Sequence, residues 1–300
     1  MKLLITGAWK YSENQINKLK RMGHEILLMQ DERGALPSGV ESVEGVICNG
    51  LFLYHDISLF KALGYVQLTS AGYDRVPMDY LQDHGITVKN AMGVYSIPMS
   101  EFAVCGVLDI YKNMRFFYRN QSRREWIKNR SILELAGKRV LIVGCGSVGT
   151  ECAKRFAAFD TSVVGIDPVV RENSFFDRIS GVENLRNELS CADVVILTLP
   201  ITDETKHLFD GPLFDVMKDN AIIVNIGRGA VIDTQAMIDA LESHRIFGAV
   251  LDVFEDEPLS GDSPLWKMDN VIITPHNSFV GEGNQERLWK VIKNNLEIFA

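Results

Sequence analysis

The chain has little that would brace it covalently and nothing that would carry it through a bilayer. Its five cysteines (Cys48, Cys105, Cys145, Cys152, Cys191) are odd in number, scattered, and never in a CxxC pair. That pattern excludes a disulfide framework and a cysteine-based zinc site, and no metal is expected. Positive charge is also scarce: Lys and Arg total 31 against 39 Asp and Glu, a net charge of −8. Nucleic acid and anionic membrane both favour a basic face, so neither is an expected partner. A small anion stays open as a substrate, because one or two arginines suffice for a carboxylate. No apolar run approaches the ~20 residues a membrane-spanning helix needs. The opening "MKLLITGAWK" reads directly as a strand rather than a signal peptide. The expected setting is the reducing cytoplasm.

What the chain does have is apolar content, 46% over 300 residues, enough for a large core and two domains. "KLLIT", "EILLM", "GVICNG", "YVQLTS" and "GITVKN" alternate with helical patterns, the mark of parallel βαβ units. "AMGVYSIPMSEF" then leads into one long helix through Asn120, with Pro98 in its first turn. After the polar "QSRREWIKNRS" a second series starts: "RVLIVG", "TSVVGID", "DVVILTLP", "AIIVNIG", "GAVLDVF" and "NVIITPH". Most of these strands are apolar throughout, as in a parallel sheet covered on both faces. The terminal segment has Leu288, Val291, Ile292, Leu296 and Phe299 at helical spacing. The expected architecture is a doubly wound α/β domain at 98–279. It is inserted in a smaller flavodoxin-like α/β domain made of 1–97 and 280–300.

The strongest local signal is "RVLIVGCGSVGTECAKRFAAF". A strand ends at Gly144, and Gly144, Gly146 and Gly149 form G-x-G-x-x-G opening a helix. The first glycine permits the tight turn, the second lets backbone approach a pyrophosphate, and the third lets helix pack on strand. The N–H groups of Ser147 and Val148 at the helix start then face the negative charge. Asp167 follows 23 residues after Gly144, at the end of the next strand. A carboxylate there accepts hydrogen bonds from ribose hydroxyls and repels a 2′-phosphate, which predicts NAD rather than NADP. Pro168, Val169 and Val170 come next, with Arg171 expected as a solvated surface residue.

Three later strand ends carry groups of complementary chemistry. "NIGRGAVID" puts Arg228 between two glycines, "LDVFEDEPL" supplies Asp252 and Glu257, and "ITPHNS" presents His276 just after Pro275. Ligands of open α/β sheets bind beyond the carboxyl ends of the strands. Arg228 would clamp a carboxylate or polarise a carbonyl. His276 would move a proton, and Glu257 would orient the imidazole and favour its charged form.

With these motifs in this order the chain resembles the D-isomer-specific 2-hydroxyacid dehydrogenases, with their phosphoglycerate dehydrogenase-like and hydroxypyruvate/glyoxylate reductase-like members. "LPITDETKHLF", "LTSAGYDRV" and "GVYSIPMSEF" extend the resemblance over nearly the whole chain. It implies NAD-dependent reduction of a small 2-oxo acid to the D-2-hydroxy acid, with Arg228, Glu257 and His276 as the catalytic residues. It implies that Leu199, Pro200, Thr205 and Ile226 lie along the cofactor and that Asp252 meets the nicotinamide amide. It further implies that the N–H groups of Ala71 and Gly72 hold the substrate carboxylate, and that the protein is a homodimer through the nucleotide-binding domain. Asn277 and Ser278 stand where relatives more often have Ile-Ala or Ile-Gly. The regulatory extension of long phosphoglycerate dehydrogenases is not expected. "ICNGLFLYH" adds the expectation of an apolar wall, Leu51 to Leu53, suited to an alkyl side chain. Formate dehydrogenase shares the fold but replaces the glutamate, so Glu257 counts against it. A non-catalytic NAD(H) sensor would keep the same residues and stays open as the alternative.

Overall fold

A computed structural model of the chain describes residues 1–299. The chain forms two compact units, one of Met1–Tyr95 with the segment from Gly281 onward, the other of Ser96–Val280.

The first unit contains β1 (Lys2–Thr6), α1 (Glu13–Arg21), β2 (Glu25–Met29), β3 (Gly45–Cys48), β4 (Tyr65–Leu68), α2 (Met78–Asp83) and β5 (Thr87–Lys89). Its sheet is parallel throughout, in the order β2-β1-β3-β4-β5, which is the flavodoxin-like order. Helix α1 begins with a capping box: Ser12 accepts from Gln15 N, and the Gln15 side chain accepts from Ser12 N. The C-terminal helix, Asn284–Leu296, buries Leu288, Ile292 and Leu296, spaced four apart on one stripe, against Leu3, Ile5 and Trp9. Trp289 from the same helix stacks on Trp9, with ring centroids 5.6 Å apart.

The second unit runs α3 (Ser96–Tyr111), α4 (Met114–Arg123), β6 (Arg139–Val143), α5 (Ser147–Ala157), β7 (Ser162–Ile166), β8 (Arg178–Ser180), α6 (Leu185–Leu189), β9 (Val194–Leu197), α7 (Gly211–Phe214), β10 (Ile222–Asn225), α8 (Thr234–Glu242), β11 (Gly248–Leu251) and β12 (Val271–Ile273). Seven parallel strands lie in the order β12-β11-β10-β9-β6-β7-β8. Alternate residues of β6 serve opposite layers: Leu141 and Val143 join one buried cluster, Val140 and Ile142 the other. This two-sided burial explains why β9, β10 and β11 read as unbroken apolar runs.

Two features differ from the sequence reading. The single long helix expected through Asn120 is two helices, because Asn113 adopts a left-handed backbone (φ 49°) and ends the first. Asparagine is among the few residues that tolerate this conformation. The edge strand β8 has only three residues, "RIS", and no apolar run to announce it.

Candidate active site

The glycine loop has the geometry its spacing implies. Gly144 sits at φ 98°, and a Cβ on Gly149 would lie 2.0 Å from the Gly144 carbonyl oxygen, so any side chain there would push α5 off the strand. A Cβ on Gly146 would meet nothing within 4 Å, which leaves the approach to the loop open. Helix α5 starts at Ser147, so the N–H groups of Ser147 and Val148 are in its first turn and have no intrahelical acceptor. Asp167 braces the loop from the end of β7: Oδ2 accepts from Cys145 N at 2.8 Å and Oδ1 from Val169 N at 2.9 Å. A carboxylate offers about four acceptor sites, so it can still take ribose hydroxyls. Arg171 is not merely solvated, since its Nη2 donates to the Cys145 carbonyl at 2.8 Å. Burial, then the Asp167 charge, pushes the Cys145 thiol up to about 12, so this cysteine is no nucleophile. The open second glycine, the free helix start and the strand-end acid together fit a bound dinucleotide.

The other residues expected along the cofactor differ in what they expose. Thr205 closes its own loop, donating from Oγ1 to Pro200 O at 2.8 Å and accepting from Thr202 N at 2.7 Å. Leu199 and Ile226 are buried, with Ile226 packed in the core beside Val224 and Val250, so Ile226 can offer a ligand little beyond its backbone.

Arg228, Glu257 and His276 follow β10, β11 and β12, three adjacent strands, at their carboxyl ends. Neighbouring strands lie ~4.8 Å apart, so the three loops crowd one rim of the sheet. The Arg228 turn is held by Asn225, whose Nδ2 donates to Arg228 O at 3.0 Å and whose Oδ1 accepts from Gly227 N at 3.1 Å. It presses so closely on the next loop that a Cβ on Gly229 would lie 1.9 Å from Phe254 C. Glu257 Oε1 accepts from Phe254 N at 3.1 Å, and its Oε2 lies 2.9 Å from His276 Nδ1. The Nδ1–H therefore donates to the carboxylate and Nε2 is the nitrogen left to face a substrate. Phe279 packs edge-on to the imidazole with centroids 6.0 Å apart.

Sequence reasoning missed the main work of Asp252. Fully buried, it accepts at Oδ1 from Thr274 Oγ1 (2.6 Å) and Asn277 N (2.7 Å), and at Oδ2 from Ser278 N (2.9 Å). It thus clamps the whole loop that presents His276, with one acceptor position to spare for a carboxamide. A second missed feature is an ion pair between His207 Nε2 and Glu255, two residues before Glu257. Its cue was the pair of acids spaced two apart in "FEDEP".

In the first unit, Asn90 Nδ2 donates to Ala71 O at 2.6 Å and Ser70 Oγ to Gly72 O at 3.0 Å. Among the described residues no hydrogen bond uses the N–H of Ala71 or of Gly72. The expected apolar wall shrinks to one residue: Leu51 is fully buried, Phe52 packs on Phe60, and only Leu53 is exposed, at 58%. The cause is the short helical turn Leu51–Leu53, which rotates the first side chain into the core. Polar groups, among them Asp31, Arg33 and Arg75, line the crevice of about 400 Å³ beside Leu53. Among the described residues no group of three or more His, Cys, Asp or Glu side chains is placed to hold a metal ion. No helix there is long and apolar enough to cross a membrane.

The sheet order and glycine loop define a doubly wound dinucleotide-binding unit, with a glutamate-paired histidine at its strand ends. A family model described as "D-isomer specific 2-hydroxyacid dehydrogenase, NAD binding domain" matches residues 104–278. The D-3-phosphoglycerate dehydrogenase of Methanocaldococcus jannaschii is 33% identical over 99% of this chain and 57% of its own length. The glyoxylate reductase of Thermofilum pendens is 32% identical over 78% of this chain and 71% of its own. A solved D-isomer specific 2-hydroxyacid dehydrogenase family protein from Aeromonas salmonicida aligns with a TM-score of 0.80 at 27% identity, covering 99% of this chain and 96% of that one. The chain belongs to the D-isomer specific 2-hydroxyacid dehydrogenase family. It spans little more than half of some relatives, 57% of the M. jannaschii protein and 53% of the Archaeoglobus fulgidus D-3-phosphoglycerate dehydrogenase.

Proposed function

We propose that the protein is an NAD-dependent dehydrogenase that reduces a small 2-oxo acid to the D-2-hydroxy acid, and runs the reverse. The observation that carries this reading is the 2.9 Å pairing of His276 with Glu257, at the ends of β12 and β11, with Arg228 at the end of the next strand, β10. NADH, when bound, supplies the hydride. His276 gives the Nε2 proton to the nascent alkoxide, while Glu257 fixes the tautomer and the ring's orientation. Arg228 takes the substrate carboxylate or polarises its carbonyl, and the uncommitted N–H groups of Ala71 and Gly72 bind the carboxylate. Gly144, Gly146, Ser147, Val148, Gly149 and Asp167 hold the pyrophosphate and ribose. Leu199, Pro200, Thr205 and the Ile226 backbone line the cofactor, and Asp252 meets the nicotinamide amide.

The working form is a homodimer through the nucleotide-binding unit, in a reducing cytoplasm. Supporting the first point, Trp126 is 96% exposed on an irregular stretch of that unit that also exposes Ile127 and Ile132. A solvated tryptophan beside two exposed isoleucines is the composition of an interface. Sedimentation of the protein and of Trp126→Ala is the check. Supporting the second, all five cysteines are free.

The decisive experiment follows NADH consumption with glyoxylate, pyruvate, longer straight and branched 2-oxo acids, and phosphorylated ones, with chiral analysis of the product. Turnover with any of them, giving the D product, supports the enzyme. NADH binding without turnover across the panel would replace it with the sensor reading.

A further inference from the structure

One loop carries two glutamates, each paired with a histidine: Glu257 with His276, and Glu255 with His207. Both histidines hold the left-handed backbone that non-glycine residues rarely adopt, φ 50° at His276 and 51° at His207. We propose that the Glu255–His207 pair is a positioning device, which holds Glu257 at His276 and keeps the Arg228 turn in register with both. This rests on the reading of Arg228, Glu257 and His276 as the reacting groups.

The bonding around Glu255 links three loops that leave three adjacent strands. From the loop after β9, His207 reaches one carboxylate oxygen with Nε2. The other oxygen, Oε2, accepts at 2.9 Å from Thr234 N, the first residue of α8, which follows the Arg228 turn. Glu255 itself belongs to the loop after β11. The backbone adds a second seam: His207 N donates to Ala230 O at 2.7 Å, and Phe209 N to Val231 O at 3.0 Å. Gly229 closes the triangle by lying directly on the Phe254 backbone. Burial alone would raise the Glu255 carboxyl, but its bonds to Thr234 and His207 outweigh that and hold it below the ordinary range. It therefore stays an anion and a full acceptor.

Glu257 needs this help. Residues 255–258 are exposed, and among the described residues the Glu257 side chain bonds to Phe254 N and His276. An exposed side chain held by two bonds alone would sample many positions. Proton transfer does not tolerate that, since a displacement of about 1 Å can cost on the order of a hundredfold in rate. Glu255 plays no direct part in the chemistry; it fixes the carboxylate that pairs with the His276 ring.

The test uses the whole protein and two readouts. The first is the ¹⁵N signal of His276 Nδ1 in histidine-labelled, NADH-bound protein, assigned with His276→Ala. Glu255→Ala should shift or broaden that signal, and Glu255→Gln, whose amide still accepts from Thr234 and can donate to a neutral His207, should restore it. The second is turnover with the best 2-oxo acid. Glu255→Ala should lower kcat by about 10- to 100-fold with KM for NADH unchanged, and should cost less than about twofold more once Glu257→Gln is present, because both act through one contact. An unmoved His276 signal in folded Glu255→Ala overturns the proposal, as does an equal loss of kcat with and without Glu257→Gln. Because the first readout needs no turnover, a wild-type protein inactive on every acid would sink the enzyme reading while the resonance still decides this one.

Discussion

Asp252 and His276 are joined through both main chain and side chain. The Asp252 carbonyl accepts the His276 N–H at 2.8 Å, and the Asp252 carboxylate holds the next two amides, Asn277 N at 2.7 Å and Ser278 N at 2.9 Å. A buried strand-end aspartate thus fixes the backbone of the proposed proton donor, and His276 can hold its left-handed φ of 50°.

Removing that carboxylate should therefore damage both folding and turnover. Asp252→Ala leaves the buried Ser278 amide without an acceptor and opens a hole beneath the loop. A loss of about 3 kcal/mol or more in denaturant unfolding is expected, since the bonds lost are to a charged acceptor. Asp252→Asn should be milder but still impaired, because its NH2 group must face one of the three donors. A stability loss below about 1 kcal/mol in Asp252→Ala would show that the loop is held from elsewhere.

The chemical step itself should be isolated by His276→Ala. Its imidazole is 44% exposed on the side-chain scale and sits outside the core, so the fold and NADH binding should survive. The rate of 2-oxo acid reduction should fall by ~10²–10⁴-fold, the usual worth of a general acid. Glu257→Gln keeps the shape but replaces a charged acceptor with a neutral one, and should lose less. Stopped-flow measurement of a single turnover separates these effects from product release, and near-normal single-turnover rates in His276→Ala would exclude it as proton donor.

Much of this was legible in the sequence because the informative residues sit where periodicity stops. Apolar runs such as "DVVILTLP" announce strands buried on both faces, and the first few residues beyond each run are by construction at the carboxyl rim. Arg228, Glu257 and His276 are read off that way. Asp252 was harder: it lies inside the run "LDVF", and only its three bonds to a loop 22–26 residues later reveal what it does. The same limit applies to Glu255 and His207, which are 48 residues apart and meet only once β9 and β11 are in place. Leu51 shows the opposite failure. Its apolar neighbours suggest a wall, but one short helical turn decides which of them faces out.

Cofactor choice should follow Asp167 with a correction for Arg171. In the role proposed for it Asp167 meets the ribose hydroxyls, so a 2′-phosphate would face its carboxylate, and like charges at close range cost several kcal/mol. NADH should be preferred over NADPH by on the order of a hundredfold or more in kcat/KM. Arg171 is a cation near the same loop, tied to the Cys145 carbonyl at 2.8 Å, and could partly offset that repulsion. Asp167→Ala should narrow the preference by raising activity with NADPH, and Arg171→Ala in that background should reduce the gain. Equal efficiency with both cofactors in the wild type would contradict the role given to Asp167.

Stability should fall with pH in two separate windows, and His24 sets the upper one. His24 is 4% exposed, and neither ring nitrogen has a hydrogen-bond partner. Burial first, then the positive N-terminus, lowers its pKa in the folded protein. An unfolded imidazole titrates near ~6.5, so below that pH the unfolded chain binds a proton the native state refuses. The stabilisation is complete above ~6.5 and is lost as pH falls toward the lower native value, by at most about 1.4 kcal/mol per pH unit. Glu188 behaves as a carboxylate with the opposite charge change. Burial alone would raise its carboxyl, but Arg178, at 2.6 Å, and Arg139 outweigh that and hold it low, so its contribution fades only below the unfolded value of ~4.3. Melting temperatures between pH 7 and 5 should therefore drop in the wild type and flatten in His24→Leu, while the steeper acid loss below pH ~4.3 remains in both. A wild-type profile level from pH 7 to 5, or an unchanged slope in His24→Leu, would mean that the imidazole finds a proton acceptor inside the fold.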